Sequence, residues 1–150
     1  MIYTIYRIYN ENFNYIGSTG KDIQQRLKEH ELSYGSWVLS KFTKGYCTSF
    51  EVLKYQDYNI EEIDQTKNKK EKKQLEIFYI NNCNCVNIQF NKSKPKIKIS
   101  REERRKNHSN FNLDYFINKV NEYFENKPSI LKIEDSENIY EWQKIMDTNF

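Results

Sequence analysis

A chain of 150 residues suits one compact domain with room for an appendage. Its hydrophobic content of 37% is low for a globular protein, but aromatics at 15% supply large buried areas per side chain. No apolar run approaches the ~20 residues needed to span a bilayer, and the N-terminus lacks a basic segment leading into an apolar stretch. Neither a membrane span nor a signal peptide is therefore expected. Cys47, Cys83 and Cys85 include no Cys-x-x-Cys pair, so reduced thiols in an intracellular setting (cytoplasm, nucleoid or viral factory) are expected. Heavy use of Asn, Lys, Ile and Tyr fits an AT-rich genome, such as that of a virus or mobile element.

In chain order, "IYTIYRIY" alternates and is rich in β-formers, which predicts a strand at about residues 2–9. "NENFN" supplies turn residues, and "NYIGS" predicts the return strand of a hairpin. "STGKD" offers capping residues before "IQQRLKEHE", an amphipathic helix anchored by Ile23 and Leu27. "YGSWVLSKF" predicts a short second helix. "TSFEVLKY" predicts a third strand with Phe50, Val52 and Lys54 on one face. "NIEEIDQTKNKKEKKQLEIFYINN" predicts one long charged helix, and "NCVNIQF" an extended segment beside the sheet. The order β-β-α-(α)-β-α defines an α/β (α+β) domain over 1–91: a small antiparallel three-stranded sheet flanked by helices. A basic connector follows at 92–111, then a helical C-terminal extension at 112–150. That extension is built on an amphipathic helix at 112–126 and a last short helix around "ENIYEWQKIM".

Charge is uneven across these parts. Residues 92–106 hold eight Lys or Arg against two Glu, while 107–150 hold four Lys against eight acids. A basic stripe beside a structured core is an electrostatic footprint for phosphate backbones, although such runs are more often solvated linkers.

Several polar residues sit where solubility does not require them. Arg26 and His30 are one helical turn apart, both within about 60° of Ile23 and so inside the apolar stripe. Glu76 interrupts the apolar end of its helix, where a carboxylate needs a partner or a metal. Each alone has an ordinary explanation as a surface ion pair, core filler or helix-edge acid. Their order in the chain is harder to explain that way. Tyr3 in "IYTI", Tyr-Ile-Gly at 15–17, "RLKEH", a helical Glu and an Asn in "CVN" together resemble the GIY-YIG nuclease domain over residues 1–90. Met1 stands where the first signature has Gly. Tyr6 and Tyr9 also precede the turn. Alternation puts Tyr3 and Tyr9 on one face and Tyr6 on the other, and "IYTI" selects Tyr3 as the signature tyrosine.

The resemblance implies a metal-dependent endonuclease that hydrolyses DNA phosphodiesters. Its catalytic set would be Tyr3, Tyr15, Arg26, His30, Glu76 and Asn87. Glu76 would hold Mg²⁺ or Mn²⁺, Arg26 would pair with the phosphate, and Tyr3 would act as general base with Tyr15 and His30 orienting or relaying the proton. Asn87 would brace the site, and Gly17 would let the chain pass close to a backbone or phosphate before the helix. The partner implied is DNA, with the 92–106 stretch tracking its backbone; no residue argues for a dimer. Two other readings stay open at this level: a catalytically inactive nucleic-acid-binding module, and a protein-interaction domain that retains the fold.

Overall fold

The structure, a computed structural model, describes residues 1–40, 45–87 and 100–108 together with Tyr115, Asn118 and Lys119. Strands β1 (Tyr3–Tyr9) and β2 (Asn14–Thr19) form the expected antiparallel hairpin. Its turn is closed by the Asn10 carboxamide, which accepts from the backbone N–H groups of Asn12 and Phe13 at 2.9 and 2.8 Å. Strand β3 (Asn59–Thr66) pairs antiparallel with the other side of β1, giving the order β2-β1-β3. This is the small antiparallel three-stranded sheet of an α+β fold. Helices α1 (Ile23–Leu39) and α2 (Phe50–Leu53) are joined to Tyr6, Ile8 and Tyr15 in one cluster. Helix α3 (Lys69–Asn82) contributes Ile80 to a second cluster with Ile5 and Ile16. The sheet is thus a middle layer with helices on both faces, and alternation along β1 sends Tyr6 to the α1 face and Ile5 to the α3 face.

Two expected elements are corrected. The third strand is 59–66, not 48–55; Phe50–Leu53 is instead a single helical turn whose Phe50, Val52 and Leu53 are all buried. One helical turn carries Phe50, Val52 and Leu53 into the α1 cluster together, which strand alternation would not do despite the β-propensity of Phe and Val. The long charged helix is also divided, with β3 in its first third and α3 in the rest. Ile60 and Ile63 are three apart, as on a helix, yet a bulge opposite Ile5 and Tyr6 sends Ile60 to the α1 cluster and Ile63 to the α3 cluster. The acids of β3 find partners across the sheet and in α3: Arg7 pairs with Glu61, and the Tyr79 hydroxyl donates to Asp64 at 2.9 Å. Asn68 ends the extended run and caps α3 by accepting from the N–H groups of Lys70 and Glu71. Asp22 caps α1 the same way through Gln24 and Gln25, and α1 runs on through Gly35 as one helix rather than two.

Within the stretch expected as a connector, Arg101–Asn107 forms helix α4, with Glu103 N–H donating to Ser100 Oγ at 3.2 Å. His108 follows and is buried at 2% exposure against Tyr34 and Trp37 of α1. Its Nδ1 lies 2.8 Å from the Tyr34 hydroxyl and its Nε2 3.3 Å from Glu51. Tyr115 and Lys119 also reach the domain, at Tyr58 (2.8 Å between hydroxyls) and Glu31 (3.9 Å). Tyr115, Asn118 and Lys119 are helical. The rest of the helix expected at 112–126, the last short helix, and the "IQF" end of the extended segment lie outside the described residues.

Candidate active site

The site forms where the hairpin meets α1. The register pairs Tyr6 with Gly17, so the glycine of Tyr-Ile-Gly faces the Tyr6 ring. A Cβ at residue 17 would lie 2.5 Å from both Tyr6 Cζ and its hydroxyl oxygen. The close approach that Gly17 permits is therefore to Tyr6, within β2, rather than to a backbone or phosphate ahead of the helix. Room made by Gly17 lets Tyr6, with only 1% of its surface exposed, point its hydroxyl between Arg26 and His30. The oxygen is 2.7 Å from His30 Nε2 and accepts from Arg26 Nε at 3.3 Å. Burial, softened by the neighbouring Arg26, pushes the Tyr6 phenol up to about 12, so its proton stays on.

Arg26 and His30 stand as their helical spacing predicts. Burial opposes the Arg26 charge, but contacts with Tyr6 and Glu29 more than offset this and raise its pKa. Its Nη1 donates to Glu29 at 2.8 Å, and Glu29 also accepts from Lys21. Although burial works against its charge, those hydrogen bonds lower the pKa of Glu29. His30 is pushed down to about 3, first by burial and then by the Arg26 charge, which keeps the imidazole neutral. Its Nδ1 is 3.0 Å from Ser49 Oγ, and Ser49 donates to Cys47 Sγ at 3.2 Å. Tyr15 stacks edge-on to His30 with centroids 5.3 Å apart, and its hydroxyl is 4.0 Å from Cys47 Sγ. Burial, then the neighbouring Cys47 and Tyr6, raises its pKa.

Glu76 is half-buried on α3 and accepts from Ser18 Oγ of β2. Its negative charge adds slightly to the raised pKa values of Tyr6 and Tyr15. Asn87 clamps the outer edge of β2: its Oδ1 accepts from Ile16 N–H and its Nδ2 donates to Ile16 carbonyl, both at 2.8 Å. The brace it provides acts on the backbone of Tyr-Ile-Gly. Tyr3 stands apart from Arg26 and His30. It lies on the α3 face of β1, with Lys72 Nζ 5.0 Å from its ring centroid, one helical turn before Glu76.

The structure therefore brings Tyr15, Arg26 and His30 together on the α1 face. Glu76 and Tyr3 are associated with the α3 face. It also adds Tyr6, Ser49 and Cys47, which sequence reasoning did not assign to the site. Tyr6 was legible from the hairpin register, which places it opposite Gly17; Ser49 and Cys47 were hidden because their segment reads as a strand.

A family model described as the GIY-YIG catalytic domain matches residues 2–89, and the chain belongs to that family. Membership makes it a nuclease-type domain with a nucleic-acid substrate class. No curated protein and no solved structure matches the chain.

Among the described residues, no three His, Cys, Asp or Glu side chains cluster as a metal cage. A lone carboxylate still fits Mg²⁺ or Mn²⁺. Such hard cations keep several waters and bind through one or two carboxylates plus substrate phosphates. The Ser18 hydrogen bond would hold the Glu76 carboxylate in one orientation if it bound such an ion.

Proposed function

We propose that the chain is a metal-dependent DNA endonuclease that hydrolyses phosphodiester bonds with the residues of this site. The observation that supports it most strongly is Arg26, anchored at Nε by Tyr6 and at Nη1 by Glu29, beside a neutral His30. An arginine fixed at two nitrogens loses little freedom on meeting a phosphate, and its planar fork matches phosphate oxygens.

In this reading Arg26 binds and orients the scissile phosphate and stabilises charge as it builds there. Glu76 holds Mg²⁺ or Mn²⁺, which supplies further positive charge at the phosphate. Tyr3, on the other face of the sheet from Arg26 and His30, is not placed to act with them as general base. Tyr15, edge-on to His30 on the α1 face, would orient the attacking water instead. Tyr6 holds Arg26 and His30 in place, and Asn87 keeps β2 in register. The basic 92–106 stretch follows the DNA backbone, with Arg105 and Lys106 exposed on α4.

Cleavage of supercoiled plasmid with Mg²⁺ or Mn²⁺ tests this, comparing the native chain with Glu76→Ala. Metal-dependent nicking that disappears in the variant is expected. Salt-sensitive DNA binding with no cleavage, on plasmid or on branched DNA, would move the reading to a binding module. Cleavage that survives in the variant would place the metal on another carboxylate.

A further inference from the structure

We propose that Ser49 is a positioning residue that holds His30 in its Nδ1–H tautomer, leaving Nε2 as the acceptor facing Tyr6. Its catalytic consequence rests on the nuclease reading above, whereas the tautomer itself does not.

The directions of the hydrogen bonds lead to this assignment. A guanidinium can only donate, so the Tyr6 oxygen receives a proton from Arg26 Nε. Tyr6 has one proton of its own, and His30 Nε2 lies 2.7 Å from its oxygen. If Nε2 carried hydrogen instead, the buried phenol would face two donors and its own proton would have no described acceptor, a costly arrangement at 1% exposure. In a neutral imidazole the hydrogen must then sit on Nδ1, where the neighbour is Ser49 Oγ at 3.0 Å.

Ser49 is suited to this role by a departure from its usual behaviour. It occupies the position before α2, where a serine ordinarily caps its own helix. Here its backbone is helical, at φ −57° and ψ −25°, and its side chain makes no capping bond. Fully buried, the hydroxyl instead accepts from His30 and donates to Cys47 Sγ at 3.2 Å. The chain Arg26 → Tyr6 → His30 → Ser49 → Cys47 thus has one consistent donor direction. It ties α1, β1 and the α2 entry loop to a single imidazole.

Nitrogen-15 NMR of labelled histidine reads the tautomer directly. The chain contains two histidines, and His108→Gln distinguishes them. In the native chain His30 should show a protonated Nδ1 and a bare Nε2. Ser49→Ala should shift its signals towards the Nε2–H form and lower kcat about 10- to 100-fold with KM unchanged. Ser49→Thr, which keeps the hydroxyl, should restore both. If Ser49→Ala does not fold, Ser49→Cys carries the same comparison with a much weaker acceptor. An Nε2–H tautomer in the native chain, or unchanged His30 signals in a folded variant, overturns the proposal. A native chain with the Nδ1–H tautomer and no cleavage would sink the nuclease reading and leave this assignment standing.

Discussion

At the scale of single residues, stability and chemistry share the contact between Tyr6 and Gly17. Because both ends of the Tyr6 hydroxyl are engaged, its ring cannot yield to a new methyl group without disturbing Arg26 and His30. Gly17→Ala should therefore lower unfolding stability by about 1–3 kcal/mol, read from urea midpoints, and lower nicking activity as well. Arg26→Ala should reduce plasmid nicking by roughly 10²–10³-fold, and Arg26→Lys should not rescue it, because an ammonium cannot reproduce the two-point anchoring of the fork. The pH dependence of stability has a sign that follows from His30. Its folded value of about 3 lies below the ordinary 6.5, so between these values the unfolded chain takes up a proton that the folded chain does not. Folding stability should then fall as pH drops from 6.5 towards 3. Glu51, held near 2 rather than 4.5 because hydrogen bonds from His108, Lys54 and Tyr46 outweigh its burial, should add a second loss from 4.5 towards 2. Urea midpoints of His30→Gln should be flatter between pH 6.5 and 4.5 while keeping the Glu51 loss below it.

At the scale of elements, the segments that sequence reading misplaced are those whose partners lie far along the chain. The β3 residues carry helix-like charge and isoleucine spacing, and only pairing with β1 across a bulge makes them extended. The α2 turn is helical because Phe50, Val52 and Leu53 all face the α1 layer, which a strand could not arrange. The segment after α4 joins the same layer through His108. His108→Ala would leave the Tyr34 hydroxyl and the Glu51 carboxylate without this partner in a largely dry setting. A loss of about 1–3 kcal/mol in urea unfolding is expected, with the nuclease centre otherwise intact. Such a loss would show that the stable unit extends beyond the segment matched to the family, through residue 108.

At the scale of the whole molecule, both helical layers bear on the hairpin strands, and Asn87 braces the outer edge of β2. A domain held by two packed clusters and a set of protein hydrogen bonds would not need a bound cation to fold. EDTA should accordingly abolish cleavage while leaving the thermal unfolding curve in place; a marked drop in melting temperature would mean that the metal is structural.

The sequence by itself determined the hairpin, the α1 start at Asp22, and the placement of Arg26 and His30 within a buried stripe, because each depends on local periodicity or capping. It also carried the ordered residues that identify the family. Tertiary structure alone decided that Tyr6 sits between Arg26 and His30, that Ser49 turns from its own helix to the imidazole, and that His108 closes the α1 layer. Those contacts join residues 19 to 74 positions apart. No local pattern encodes them; they follow from the register of the hairpin and the packing of helices onto the sheet.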